Sequence, residues 1–173
     1  MSLSLHTASV GTYLQILPAM AGLLDKGCAH CQAGGAEDEA LTGAGLAGDM
    51  WPIAKQVTSV IHHSAGAILG LRAGQFSPDP SPAPGDFATL RQRVADAITF
   101  LEGVDPTEID AMAGRDIDFV VGDRHMPFVV DDFILSFSLP NFYFHATATY
   151  AILRNQGLAI GKMDFIGKPR MKR

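Results

Sequence analysis

The chain has 173 residues, 47% of them hydrophobic and 18% charged, a balance that suits one compact soluble domain and excludes a disordered polymer. Thirteen Lys and Arg against eighteen Asp and Glu give a formal charge of −5, which excludes nucleic-acid binding by phosphate neutralisation over a broad basic face. Two cysteines build no disulfide framework, the N-terminus carries no export pattern, and contiguous apolar runs such as Ala65–Leu71 fall short of the roughly 20 residues of a membrane span, so a cytoplasmic protein without a membrane partner is expected.

In chain order, Val10, Leu14, Leu17, Ala21 and Leu24 recur at helical spacing and predict a first helix over Leu5–Cys31, with a kink near Tyr13–Leu17 where Pro18 removes a donor. Glycine-rich loop follows. Asp49 with Pro52 reads as the start of a second helix whose seam is Ile53, Val57, Val60, Ser64, Ile68 and Leu71, with Gly74 as its stop. Alternate prolines from Ser77 to Pro84 predict a stiff extended loop. Asp86 caps a third helix carrying Leu90, Val94, Ala97, Ile98 and Leu101 and ending at Gly103, and Asp105-Pro106 opens a short turn of helix to Met112.

Asp116–Val121, Gly122-Asp123 and Met126–Val130 read as a hairpin. From Asp131 or Asp132 helical spacing returns through Ile134, Phe137, Asn141, Phe144, Ala148 and Ile152, ending near Gly157 and carrying Pro140 inside. The sum is an all-α four-helix bundle in a single domain over residues 1–173, with a small β-hairpin inserted before the last helix and a basic tail, 167–173, expected to be frayed.

The chemistry-bearing residues sit on the second and fourth helices. His62 shares a side with Lys55 and Ser59, and His63 with Gln56 and Val60, so one residue of helix phase decides which histidine faces inward; His63, beside the seam, is the better inward candidate. Asn141 and His145 are four apart and project one above the other, so His63, Asn141 and His145 form a candidate metal set for a divalent ion such as Zn or Ni. They supply two good ligands and one poor one, because Thr149 stands four after His145 where a further histidine would complete the set. The competing reading makes them core histidines satisfied by amide or hydroxyl partners. Cys28-Ala29-His30-Cys31 has knuckle spacing but no second pair, and reads as two small residues at a helix end. No G-x-S-x-G, Walker, G-x-G-x-x-G or H-E-x-x-H motif occurs, and no catalytic residue is singled out.

Leu139-Pro140-Asn141-Phe142-Tyr143-Phe144-His145, with Tyr150–Arg154, Gly161–Phe165, Leu24-Asp25-Lys26 and Gln56-Val57, resembles the signature of domain-of-unknown-function family 1993 over nearly the whole chain. That family looks like a branch of the DinB/YfiT-like bundles. The resemblance implies a metal site built from one histidine of the second helix and two of the fourth, and in some relatives a thiol-dependent transfer using mycothiol or bacillithiol. Here only His145 falls on the matching part of the fourth helix.

Three functions stand open: a DinB-like bundle without an assigned activity and with a degenerate or absent metal site; a divalent-metal-dependent transferase or hydrolase; and a module that binds a small molecule in the bundle pocket or dimerises. Phe142, Tyr143 and Phe144 cannot all face one seam, which makes a homodimer face part of the last reading.

Overall fold

A computed structural model describes residues 3–172. The first bundle helix comes as a short turn, α1 (Leu5–Ala8), and a long helix, α2 (Val10–Gly34), which ends on Gly35 in the left-handed region. The interruption lies at Ser9, whose hydroxyl donates to the Leu5 carbonyl at 2.7 Å, and the helix then runs continuously through Pro18. The sequence placed the irregularity near Tyr13–Leu17 instead. By length and hydropathy Leu5–Gly34 also matches a membrane span, as one apolar helix rather than as the shorter apolar runs, and in the fold its buried face is bundle core.

A short helix, α3 (Asp38–Thr42), and a loop lead to α4 (Ile53–Ile61). This helix starts at Ile53 with Pro52 as its N-cap, not at an Asp49 cap. The reason is local: a residue preceding proline is pushed out of the helical region, so Trp51 stays in the loop and the helix begins beyond Pro52. A π-helical turn, His62–Gly66, joins α4 to α5 (Ala67–Ala73), which ends at Gly74. Then come a two-residue strand, β1 (Gln75–Phe76), the proline loop and α6 (Phe87–Glu102), where the Asp86 carboxylate accepts from the Thr89 amide at 2.6 Å as expected of a cap.

After α7 (Pro106–Asp110), the strands β2 (Asp116–Val121) and β3 (Arg124–Val129) pair antiparallel around Gly122, and β1 adds to β2 in parallel, a strand too short to leave a sequence pattern. The last bundle helix is α8 (Val130–Asp132), a second π-helical stretch (Phe133–Ser138) and α9 (Leu139–Asn155); a final turn, α10 (Lys162–Ile166), lies on α2 through Lys26 and Asp164, 2.6 Å apart. Beyond it, Arg170 donates to the Thr7 carbonyl at 3.3 Å, while Arg173 lies outside the described residues.

The four-helix bundle with its hairpin is thus present, and the helices that carry His62, His63 and His145 are the two that contain π turns. Proline accounts for one of them. Pro140 cannot donate to the carbonyl four residues back and its ring crowds that turn, and the π stretch directly before it absorbs the conflict. Ser136 bonds the Asp132 carbonyl and the Asn141 amide nitrogen donates to the Phe137 carbonyl at 2.8 Å, so side chains take up carbonyls around the irregular turns.

Candidate functional site

Between α4 and α9, under the hairpin, lies a cavity of about 530 Å³, within the range of small-molecule sites. One side is a face of the second bundle helix: Lys55, Gln56, Ser59, His62 and His63, spaced one, four, seven and eight residues from the first. Facing it are Phe137, Asn141, Phe144 and His145. Phe76 of β1 and Phe119 of β2 roof it, and Trp51 from the loop stands at its mouth, half exposed. The structure therefore brings His63, Asn141 and His145 to one cavity, and adds His62 to them.

His63 is 8% exposed and His145 6%, with ring centroids 5.9 Å apart. His62 is half-buried and lies against the Phe76 ring at 4.3 Å. Both histidines of the pair line the cavity, so the choice between them that helix phase posed in the sequence has no single answer.

The orientation of His145 is fixed by two neighbours in the cavity wall, Gln56 and Trp51. Gln56 donates its amide N–H to the Trp51 carbonyl at 3.0 Å, which leaves its Oε1 to face Nδ1 of His145 at 2.6 Å. An oxygen acceptor at that distance requires Nδ1 to carry the proton, so the imidazole presents the lone pair of Nε2. Trp51 stacks on the same ring, 5.6 Å between centroids and 9° from parallel. Burial pushes His145 down to about 4, helped by the Lys55 charge; burial, then the neighbouring His62 and His145, pushes His63 down to about 3. Both are neutral near pH 7.

Two buried nitrogens, Nδ1 of His63 and Nε2 of His62, have no hydrogen-bond partner among the described residues. Unpaired polar atoms at this depth are costly and mark places where a fold keeps something other than stability. A third buried link ties the site to the core. Ser138 donates to the His63 carbonyl at 2.9 Å, which commits its one proton, so the Tyr13 hydroxyl 3.4 Å away donates to Ser138 in turn. Burial holds the Tyr13 phenol far above its ordinary range, and it remains a donor.

Thr149 is fully buried and returns its hydroxyl to the His145 carbonyl at 3.0 Å. It does not line the cavity. Among the described residues no three His, Cys, Asp or Glu side chains group as metal ligands. Cys28 and Cys31 are free thiols on the last turns of α2, outside the cavity lining. Of the aromatic triplet, Phe142 packs on Tyr13 at 4.9 Å, while Tyr143 and Phe144 are exposed.

Gln56 and Trp51 are the residues whose role a sequence reading misses: the first looks like an ordinary seam polar, the second like part of a helix start. Their effect depends on a carbonyl five residues before Gln56.

A bundle of four helices with a hairpin before its last member and a cavity between the second and fourth is a DinB-like fold. A crystal structure described as a DinB family member protein from Shewanella denitrificans superposes at a TM-score of 0.80, covering 98% of this chain and 95% of that one at 24% identity. The family model for the domain of unknown function DUF1993 matches residues 5–166, and the chain belongs to that family. No curated protein matches it.

Proposed function

We propose that this protein is a small-molecule-binding bundle whose ligand enters the cavity between α4 and α9. The observation that carries this reading is the cavity itself: about 530 Å³ walled by aromatic rings around a few convergent polar groups, two of them buried neutral imidazoles. Ligand-observed NMR with a set of neutral benzene derivatives tests it. Saturable binding that disappears in Ser59→Phe, which puts a ring inside the cavity, is the expected result. The absence of any saturable hit, or hits that survive Ser59→Phe, overturns the reading.

A second reading, a divalent-metal centre for transferase or hydrolase chemistry, is favoured by one specific feature: His145 is held through Nδ1 by an amide oxygen, as metal-bound imidazoles are held. His63 and His145 would supply two nitrogens and Asn141, whose amide nitrogen is committed to Phe137, would supply Oδ1. The ion, Zn or Ni, would activate a bound water or thiol. Elemental analysis of untagged protein decides between the two. About one equivalent of metal, lost in His145→Ala, supports the second reading, and no metal after incubation with zinc and nickel removes it.

The exposed groove of Leu46, Pro140, Tyr143 and Phe144 supports a homodimer, checked by light scattering of wild type and Phe144→Glu. A cytoplasmic protein with neither nucleic-acid nor membrane partners fits the acidic composition.

A further inference from the structure

The polar side chains around His145 are engaged by the fold through one of their sides. Gln56 spends its N–H on the Trp51 carbonyl and its oxygen on His145. His145 spends its Nδ1 proton on Gln56, and that is the one hydrogen bond its ring makes among the described residues. Asn141 spends an amide proton on the Phe137 carbonyl, leaving Oδ1. Both amides keep a second N–H, and the Ser59 hydroxyl and the N–H of neutral His63 are donors without a bond among the described residues, but at His145 the single N–H is engaged by the fold and the Nε2 lone pair remains. Lys55, the cation at the rim, donates to the Asp79 carbonyl at 3.3 Å and sits 5.5 Å from the Trp51 ring centre. Its charge works against a cationic guest nearby; of the two carboxylates in the lining, Asp49 and Asp79, the second is engaged by the Ser81 amide at 2.9 Å. Phe76, Phe119 and Phe137 supply apolar ring faces and edges.

Resting on the small-molecule reading above, we propose that the cavity selects a neutral aryl ligand bearing a hydroxyl or N–H, which donates a hydrogen bond to Nε2 of His145. The aromatic walls favour a neutral guest over a charged one, whose desolvation they do not repay. A ligand with only acceptors sets lone pair against lone pair at Nε2, and a purely apolar one offers it no donor.

Isothermal titration with 4-propylphenol and with its methyl ether, 4-propylanisole, isolates the donor, because the two share their ring and chain. The phenol is expected to bind about five- to tenfold more tightly than the ether, one neutral hydrogen bond's worth. In His145→Phe, with folding checked by circular dichroism, that ratio falls to about one. Should that variant unfold, Gln56→Leu serves, since freeing the tautomer lets Nε2 carry a proton and shrinks the preference. Equal or tighter binding of the ether by wild type, or a preference unchanged in the variant, overturns the donor assignment and leaves the pocket reading standing. Failure of both compounds to bind saturably overturns the pocket reading and this inference with it.

Discussion

Helices α2 and α6 run unbroken past each other and bury hydrocarbon, from Leu17, Met20 and Leu24 on one to Leu90, Val94 and Leu101 on the other. The opposite pair, α4–α5 and α8–α9, each contains a π-helical turn, and between them they hold eight of the ten buried polar side chains among the described residues: Gln56, Thr58, Ser59, His63, Ser64, Ser138, His145 and Thr149. Both pairs belong to one bundle. The difference shows that the dry side supplies stability and the interrupted side spends some of it on a cavity with unpaired nitrogens, the usual relation between a core and a site.

The largest effect should come from the dry side. Leu90→Ala is expected to lose about 2–5 kcal/mol in urea unfolding, the range for a fully buried leucine, while ligand affinity at the cavity stays unchanged. A loss of binding there would mean that the two sides are not separable.

Acid should act on the interrupted side. His63 and His145 are held at about 3 and about 4 in the folded protein, below the ordinary 6.5, so the unfolded chain takes up protons first. Their contribution to stability is complete above pH 6.5 and is lost as pH falls towards 4 and then 3, by up to about tenfold in the unfolding constant per pH unit for each imidazole. Urea midpoints at pH 7 and pH 5 should drop in wild type and drop less in His63→Gln.

Ser138→Ala removes the hydroxyl that joins Tyr13 to the His63 carbonyl and is expected to cost about 1–3 kcal/mol, the range for leaving buried groups unpaired. The matching change away from any π turn, Thr89→Ala on α6, should cost under about 1 kcal/mol, because the cap from the Thr89 backbone amide to Asp86 survives it and only an exposed hydroxyl contact is lost.

The bundle was legible because its signals are local. Asp86 as a cap, Gly74 and Gly103 as stops and the Gly122 turn each act within a few residues. Where a second rule competes nearby, the reading slips: Asp49 has a cap's chemistry, but Pro52 forces Trp51 out of the helix. The π turns leave no mark in apolar spacing, since one inserted residue reads as ordinary variation between three and four, and that hid the shared orientation of His62 and His63. His63, Asn141 and His145 could be placed on facing helices from periodicity alone. What orients His145 could not, because it passes through Gln56 to the backbone of Trp51, a residue that periodicity assigned to a helix start.

The ligand preference proposed for the cavity passes through which nitrogen of His145 carries the proton, and long-range ¹H–¹⁵N correlation of the histidine side chains at pH 7, assigned with His145→Gln, reads this directly. The expected spectrum shows His145 as the neutral Nδ1–H form in wild type, with that preference weakened in Gln56→Leu. An imidazolium, or an Nε2–H form in wild type, would contradict the acceptor role of Nε2.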